Sequence, residues 1–230
     1  MPNITPSQLA ACIDYTLLSP QATASQIDQL CDQAVDLGCW AVCVNLFWLP
    51  RAVERLGGSK SPVKVVTTVA YPTGAIPTAL KVSQARWALD HGADEIDMVI
   101  NIGALCDSQD QLVQDDIAAL AETVHSASPD KLLKVILETA ALTTEQKITA
   151  CCLAANAGAD FVKTSTGTHP AGGATVDDVA LLAQHATGLM KVKAAGGIRD
   201  ATTALAMIAA GAHRLGTSAA GAIIDQLKST

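Results

Sequence analysis

Hydrophobic positions in this chain gather in short, near-continuous runs rather than in strict alternation. Eight runs stand out: Ile13–Tyr15, Ala41–Val44, Lys64–Val69, Glu95–Val99, Leu133–Leu137, Phe161–Lys163, Met190–Lys193 and Arg214–Leu215. Short runs that are apolar on both faces predict strands covered on both sides. Between them lie segments whose apolar residues recur at helical spacing, near 24–37, 78–91, 110–126, 144–157, 176–186 and 201–210. Thr144 with Lys147 beyond it, and Thr175 before Val176-Asp177-Asp178, read as helix starts.

One small unit recurs: an amphipathic stretch, a glycine with a small residue, then a strand. It appears as DLGCWAVCV (36–44), DHGADEIDMVI (90–100), NAGADFVKTS (156–165) and AAGAHRLGTS (209–218). Gly38, Gly92, Gly158 and Gly211 are thereby expected just past helix C-termini, in the left-handed conformation that glycine adopts without strain. Eight strands alternating with helices over 230 residues predict an α/β fold, a (β/α)₈ TIM barrel forming one domain over residues 1–230. The competing open, doubly wound sheet would usually carry a GxGxxG turn after its first strand, and none follows Tyr15.

Composition narrows the partners. Half of the residues are hydrophobic but only 3% are aromatic, so the core must be aliphatic and alanine-rich. A net charge of −7 without a basic stripe argues against nucleic acid and anionic membranes as partners. No stretch reaches the ~18 apolar residues that span a bilayer. The opening MPNITPSQLAACIDYTLL lacks a basic start and a long apolar run, so no signal peptide is expected. Seven cysteines, odd in number and without zinc-like spacing, read as reduced and mostly buried thiols of a cytoplasmic protein.

Charge inside strands is the candidate chemistry, because buried strands do not carry it without a partner or a purpose. In a barrel the catalytic groups gather at the C-terminal strand ends. Cys43 and Asn45 stand at the end of the second strand, Asp97 and Asn101 at that of the fourth, Lys134 and Glu138 belong to the fifth, and Lys163 and Lys193 end the sixth and seventh. Each has an alternative: Lys134, Lys191 and Lys193 as strand-end charges reaching solvent, Asp97 as a salt-bridge partner, Glu138 as a cap or network residue. Taken together, four strands deliver charges of both signs to one barrel mouth.

A lysine amine ordinarily titrates near 10.4, whereas a Schiff-base nucleophile must be the free amine. A second cation close by favours the free form. Lys163 and Lys193 end adjacent strands, so the predicted topology supplies that arrangement. The five histidines show no HxH or HExxH spacing, so no metal is expected. AAGGIRD (194–200) and LGTSAAG (215–221) are glycine-rich loops opening helices after the last two strands, the recurrent phosphate site of such barrels.

With these residues assembled, the chain resembles the deoxyribose-phosphate aldolases, class I aldolases, along nearly its whole length. The resemblance rests on IDYTLL, AVCVN, EIDMVINIGAL, LKVILET, FVKTSTG, KAAGGIRD and RLGTS. It implies reversible cleavage of 2-deoxy-D-ribose 5-phosphate to D-glyceraldehyde 3-phosphate and acetaldehyde, in deoxyribose phosphate catabolism, with no cofactor. It further implies Lys163 as Schiff-base lysine, Lys193 as the pKa-lowering cation and proton donor or acceptor, Asp97 as proton relay, and Lys134 as its support. The phosphate would lie among Gly167, Gly196, Gly197, Arg199, Gly216 and Ser218. Two alternatives stay open on the residues: a Schiff-base aldolase of other specificity, and a phosphosugar-binding barrel without catalysis. A homo-oligomer, a dimer, is expected by analogy alone.

The sequence departs from the family pattern in places. THPAGGAT follows TSTG where relatives often carry a lysine or an aromatic-Gly pair, Tyr15 stands where relatives often have His, and the ending IIDQLKST lacks a tail tyrosine. Cys43 matches a position that in certain members places a thiol at the pocket, with ordinary packing as its other reading.

Overall fold

The structure, a computed structural model, describes residues 4–229. Met1–Asn3 and Thr230, inside the predicted span 1–230, lie outside the described residues. In chain order the elements are α1 (Pro6–Ala10), β1 (Ile13–Leu17), α2 (Ala24–Leu37), β2 (Ala41–Val44), α3 (Leu49–Leu56), β3 (Lys64–Val69), α4 (Thr78–Asp90) and β4 (Glu95–Val99). They continue with α5 (Ile102–Cys106), α6 (Asp110–Ala127), β5 (Leu132–Ile136), α7 (Thr144–Asn156), β6 (Phe161–Lys163), α8 (Val176–His185), β7 (Lys191–Ala195), α9 (Ala201–Ala209), β8 (Arg214–Thr217) and α10 (Ala220–Lys228). The strands pair in parallel and in order, and β8 closes on β1. This is the predicted (β/α)₈ barrel.

Turn chemistry explains the feeding of each strand. Gly38, Gly92, Gly158 and Gly211 all have positive φ, between 72° and 111°, at the ends of α2, α4, α7 and α9. Four of the ten described helices are capped by threonine: Thr5, Thr23 and Thr143 form capping boxes with Gln8, Gln26 and Gln146, and Thr175 accepts from Asp178 N at 3.0 Å. The α7 cap is thus Thr143, one residue earlier than predicted, because Gln146 and not Lys147 can return a bond to the cap.

The last two strands run further than predicted, β7 to Ala195 and β8 to Thr217. Ala and Gly have little intrinsic strand preference, but Ala194 pairs with Leu215 and Ala195 with Gly216, so barrel closure extends both. The helix α3 was not legible as a periodic segment, being only eight residues long, yet a parallel β2–β3 pair requires a crossover there.

Two populations of side chain follow from the period of two along each strand. Val42, Val44, Ile96, Met98, Leu133, Val135, Val162 and Val192 face outward into the aliphatic layer beneath the helices. The inward set is different: only Ala41, Cys43 and Val66, with Leu18 against them, form an apolar cluster of their own. Asp14, Glu95, Asp97, Lys134, Lys163, Lys193 and Arg214 are buried as well. Barrel interiors are usually filled by layers of branched aliphatics; here much of that volume is ionic. No helix among the described residues is long and apolar enough to cross a membrane.

Candidate active site

The inward charges interlock. Lys163, at the end of β6 and 2% exposed, donates to Asp97 Oδ2 at 2.7 Å. Lys193 on β7 donates to the same oxygen at 2.8 Å and makes a short contact with Asp14 Oδ2. Lys134 on β5 donates to Asp97 Oδ1 at 2.8 Å and pairs with Glu95 Oε2 at 2.6 Å. At the N-terminal end of β8, Arg214 donates to Asp14 Oδ1 at 2.7 Å and lies 3.4 Å from Glu95 Oε2. The Trp40 indole N–H completes Glu95, donating to Oε1 at 2.9 Å.

Register explains the convergence: Asp97 pairs with Lys134, Lys163 with Lys193, and Lys193 with Arg214 across successive ladders. Burial by itself would raise the Asp97 carboxyl, but Lys134, Lys163 and Lys193 outweigh it and hold the group well below the usual carboxylate range. Asp14 is likewise brought down to about 2: burial opposes, and Lys193 and Arg214 prevail. Burial would lower the Lys193 amine, yet Asp14 and Asp97 carry it above the ordinary lysine range, and Asp97 with Glu95 does the same for Lys134. Asp97 is therefore an anion, and Lys193 and Lys134 are cations, at neutral pH.

Above this cluster opens a cavity of about 360 Å³. Lys163 is the cluster member that lines it; Asp97, Lys134 and Lys193 lie beneath. The strand-end reading of Lys134 and Lys193 is thus replaced by complete burial, while Lys191 is exposed, 6.0 Å from the Phe161 ring centre. Gly167, Gly196, Gly197, Arg199 and Ser218, on the loops after β6, β7 and β8, all line the cavity, with Gly216 inside β8 itself.

Those loops depend on glycine contacts. Gly196 and Gly197 have φ of 92° and 82° in succession. A Cβ at Gly173 would fall 2.4 Å from Gly196 O, and one at Gly196 would come within 3.0 Å of Gly173 Cα. Ala174 N donates to Gly196 O at 3.0 Å, so THPAGGAT folds back on AAGG. Thr168 lines the cavity; the His169 Nδ1 is turned to Ala171 N at 3.2 Å, within its own loop.

The two predicted phosphate-side helix starts differ. Asp200 caps α9 with its own carboxylate, accepting from Thr203 N at 2.8 Å, so that N-terminus is already answered by an anion. The start of α10, after Ser218, has no side-chain cap. Its dipole end is the one open to an external anion.

Several participants were not singled out from sequence. Tyr71, after β3, lines the cavity and donates from its hydroxyl to Thr166 O at 3.0 Å. Burial pushes that phenol up to about 12. Glu138, which the sequence did single out with a cap or network role as its alternative, has φ of 61° and accepts from Thr166 N at 3.2 Å and from Thr166 Oγ1 at 2.5 Å, so it braces the TSTG turn as a network residue. Asp14, Glu95 and Arg214 were missed too, although parity pointed at two of them: Glu95 shares the face of Asp97, and Arg214 that of Gly216. Asn101 caps α5, accepting from Ala104 N at 3.1 Å. Cys43 is fully buried against Ala41, Val66 and Leu18, so packing is the reading that holds; burial pushes its thiol up to about 11.

A family model described as DeoC/LacD family aldolase matches residues 9–225. Among curated relatives, a deoxyribose-phosphate aldolase of Thermococcus gammatolerans is 51% identical over 217 residues, 94% of this chain and 95% of that protein. One of Brevibacillus brevis is 49% identical over 218 residues, 95% and 96% of the two chains. A solved structure described as a tetrameric deoxyribose phosphate aldolase from Aeropyrum pernix superposes with a TM-score of 0.88 at 32% identity, covering 98% of this chain and 93% of that one.

Proposed function

The chain belongs to the DeoC/LacD aldolase family, and on that premise we propose that it cleaves 2-deoxy-D-ribose 5-phosphate reversibly to D-glyceraldehyde 3-phosphate and acetaldehyde through a Schiff base on Lys163. The observation that carries this reading is one amine at a cavity floor: Lys163 lines the cavity and is hydrogen-bonded at 2.7 Å to a carboxylate buried beneath it.

In the cleavage direction the free Lys163 amine adds to the C1 aldehyde of the open-chain sugar, and loss of water gives an iminium. A base takes the proton of the C3 hydroxyl. The C2–C3 bond breaks, and its electron pair moves toward the iminium nitrogen to leave an enamine, releasing glyceraldehyde 3-phosphate. Protonation at C2 and hydrolysis release acetaldehyde and restore the amine. Asp97 and Lys193 are the groups assigned to these proton movements, acting through water, with Lys134 orienting Asp97. The reaction so written uses only protein groups.

The phosphate is assigned to Gly196, Gly197 and the uncapped start of α10 around Gly216 and Ser218, with Gly167 and Arg199 at the rim. Neutral backbone donors suit a chain of net charge −7 whose sixth loop carries Thr168. We assign the enzyme to deoxyribose phosphate catabolism in the cytoplasm, consistent with seven unpaired cysteines, and to a homo-oligomer. Steady-state cleavage of deoxyribose 5-phosphate, coupled to detection of glyceraldehyde 3-phosphate, tests the substrate. Turnover no faster than that of unrelated aldol pairs would contradict it.

A further inference from the structure

The ionic cluster reaches from the cavity floor toward the opposite end of the barrel, and its far end is buried and ion-paired like its near one. Arg214 is 6% exposed and lies between two rings, 4.6 Å from the Trp40 ring centre and 5.4 Å from that of Phe161. Its guanidinium touches the two carboxylates that hold the other lysines. Asp14 gives Oδ1 to Arg214 and Oδ2 to Lys193; Glu95 gives Oε2 to Arg214 and Lys134. Lys193 and Lys134 then fix the two oxygens of Asp97, the acceptor of Lys163.

The charges in this column can be counted strand by strand. β1 supplies Asp14, β4 Glu95 and Asp97, β5 Lys134, β6 Lys163, β7 Lys193 and β8 Arg214. β2 supplies the Cys43 thiol, neutral at pH 7, and Cys12 ahead of β1 is likewise raised by burial; the phenol of Tyr71 is also neutral. Lys64 at the start of β3 and Lys191 at the start of β7 share the inward parity, but Lys64 is part-exposed and Lys191 exposed at the barrel's N-terminal end, so both stand outside the buried cluster. Among these mutually ion-paired groups three carboxylates face four cations, so one positive charge is in excess within the cluster; Glu138, buried at the mouth, bonds to Thr166 instead. Lys163 is the cation that lines the cavity, and loss of its proton leaves the column neutral. A buried column without net charge is the favourable electrostatic state.

We infer that Arg214 is a positioning residue of the reaction, which through Asp14 and Glu95 orients Lys193 and Lys134 and sets the charge balance under which Lys163 acts as an amine. The inference rests on the reading of Lys163 as the Schiff-base lysine. A neutral side chain at 214 leaves the column with a negative excess once Lys163 has lost its proton, so the proton is held more tightly. Removing the charge of Glu95 does the opposite.

The test is the pH dependence of kcat/KM for the full chain, alone and as Arg214→Met, Arg214→Lys and Glu95→Gln, with borohydride trapping of acetaldehyde on the unaltered protein. Arg214→Met is expected to move the acid limb up by about one pH unit, the size of effect a buried unit charge exerts at an effective dielectric of ~20. It should also lower kcat by at least about tenfold through misplacement of Asp97. Arg214→Lys should bring the limb back, and Glu95→Gln should move it down. If Arg214→Met does not fold, Glu95→Gln decides by itself. Limbs that stay in place while only melting temperatures fall overturn the inference and leave Arg214 a structural residue. If the unaltered protein traps no adduct on Lys163, the nucleophile reading fails and this inference with it; trapping with unmoved limbs overturns this inference alone.

Discussion

Lys163 and Lys193 donate to one and the same carboxylate oxygen, Asp97 Oδ2, at 2.7 and 2.8 Å. The two lysines are paired across the β6–β7 ladder, so the parallel register brings both amines to that point. They are not equivalent there. Lys193 has a second carboxylate in Asp14 and is fully buried, whereas Lys163 lines the cavity and, among the described residues, forms its ion pair with Asp97. One amine is thereby a fixed cation, and its neighbour is the one an aldehyde can reach.

Replacing Lys193 with methionine removes the fixed cation while keeping most of the volume. The acid limb of the rate profile is expected to move to higher pH, by on the order of one unit, since a neighbouring positive charge favours the free amine. Turnover should fall by roughly 10²–10⁴-fold if the proton movements assigned to Lys193 are lost with it. A pH–rate series on Lys193→Met checks both; an unmoved limb would remove the charge role given to Lys193.

Asp14 couples the cluster to acid stability. Its carboxyl is held at about 2 in the folded protein, against about 3.9 for an ordinary Asp. A depressed folded value means that the contribution is present above the unfolded value and is lost as pH falls through the folded one. The window is therefore about pH 4 down to about pH 2, and the contribution is about 2–3 kcal/mol by linkage. Unfolding free energies of the unaltered protein and Asp14→Asn, measured from pH 6 to pH 2, should converge across that window. Parallel curves would show that Asp14 is not so coupled.

Gly173 tests the loop that the sequence left unassigned. A methyl group there meets Gly196 O, a backbone atom, at 2.4 Å, so the loops after β6 and β7 must separate. Gly173→Ala is expected to raise KM for the phosphorylated substrate by about tenfold or more, the scale of effect a displacement near 1 Å produces, and to change borohydride trapping by acetaldehyde little. The comparison of KM for phosphorylated and unphosphorylated deoxyribose measures it. An equal rise for both would move the contact away from the phosphate side.

Much of this architecture is legible because the chain marks it with simple chemistry. Gly38, Gly92, Gly158 and Gly211 announce the helix-to-strand turns, and a charge such as Asp97 inside EIDMV has no place in an ordinary buried strand. What stayed hidden was the lower half of the column. Asp14, Glu95 and Arg214 stand near the starts of their strands, where a charge reads as a surface residue, and only the closed barrel turns those positions inward. Asp200 was hidden for a different reason: Arg199-Asp200 before a helix reads equally as a phosphate contact or a cap, and the bond from Thr203 N decides for the cap. The Tyr71–Thr166 and Glu138–Thr166 contacts join segments far apart in sequence, so no local pattern announces them.

The central claim is that Lys163 is the amine that forms the Schiff base. Incubation with acetaldehyde and sodium borohydride, followed by peptide mass spectrometry, tests it most directly. The account predicts an N-ethyl group on Lys163, absent from Lys163→Ala and absent from Lys134 and Lys193. An adduct on Lys193 instead, or none on any lysine of a folded and active enzyme, would contradict it.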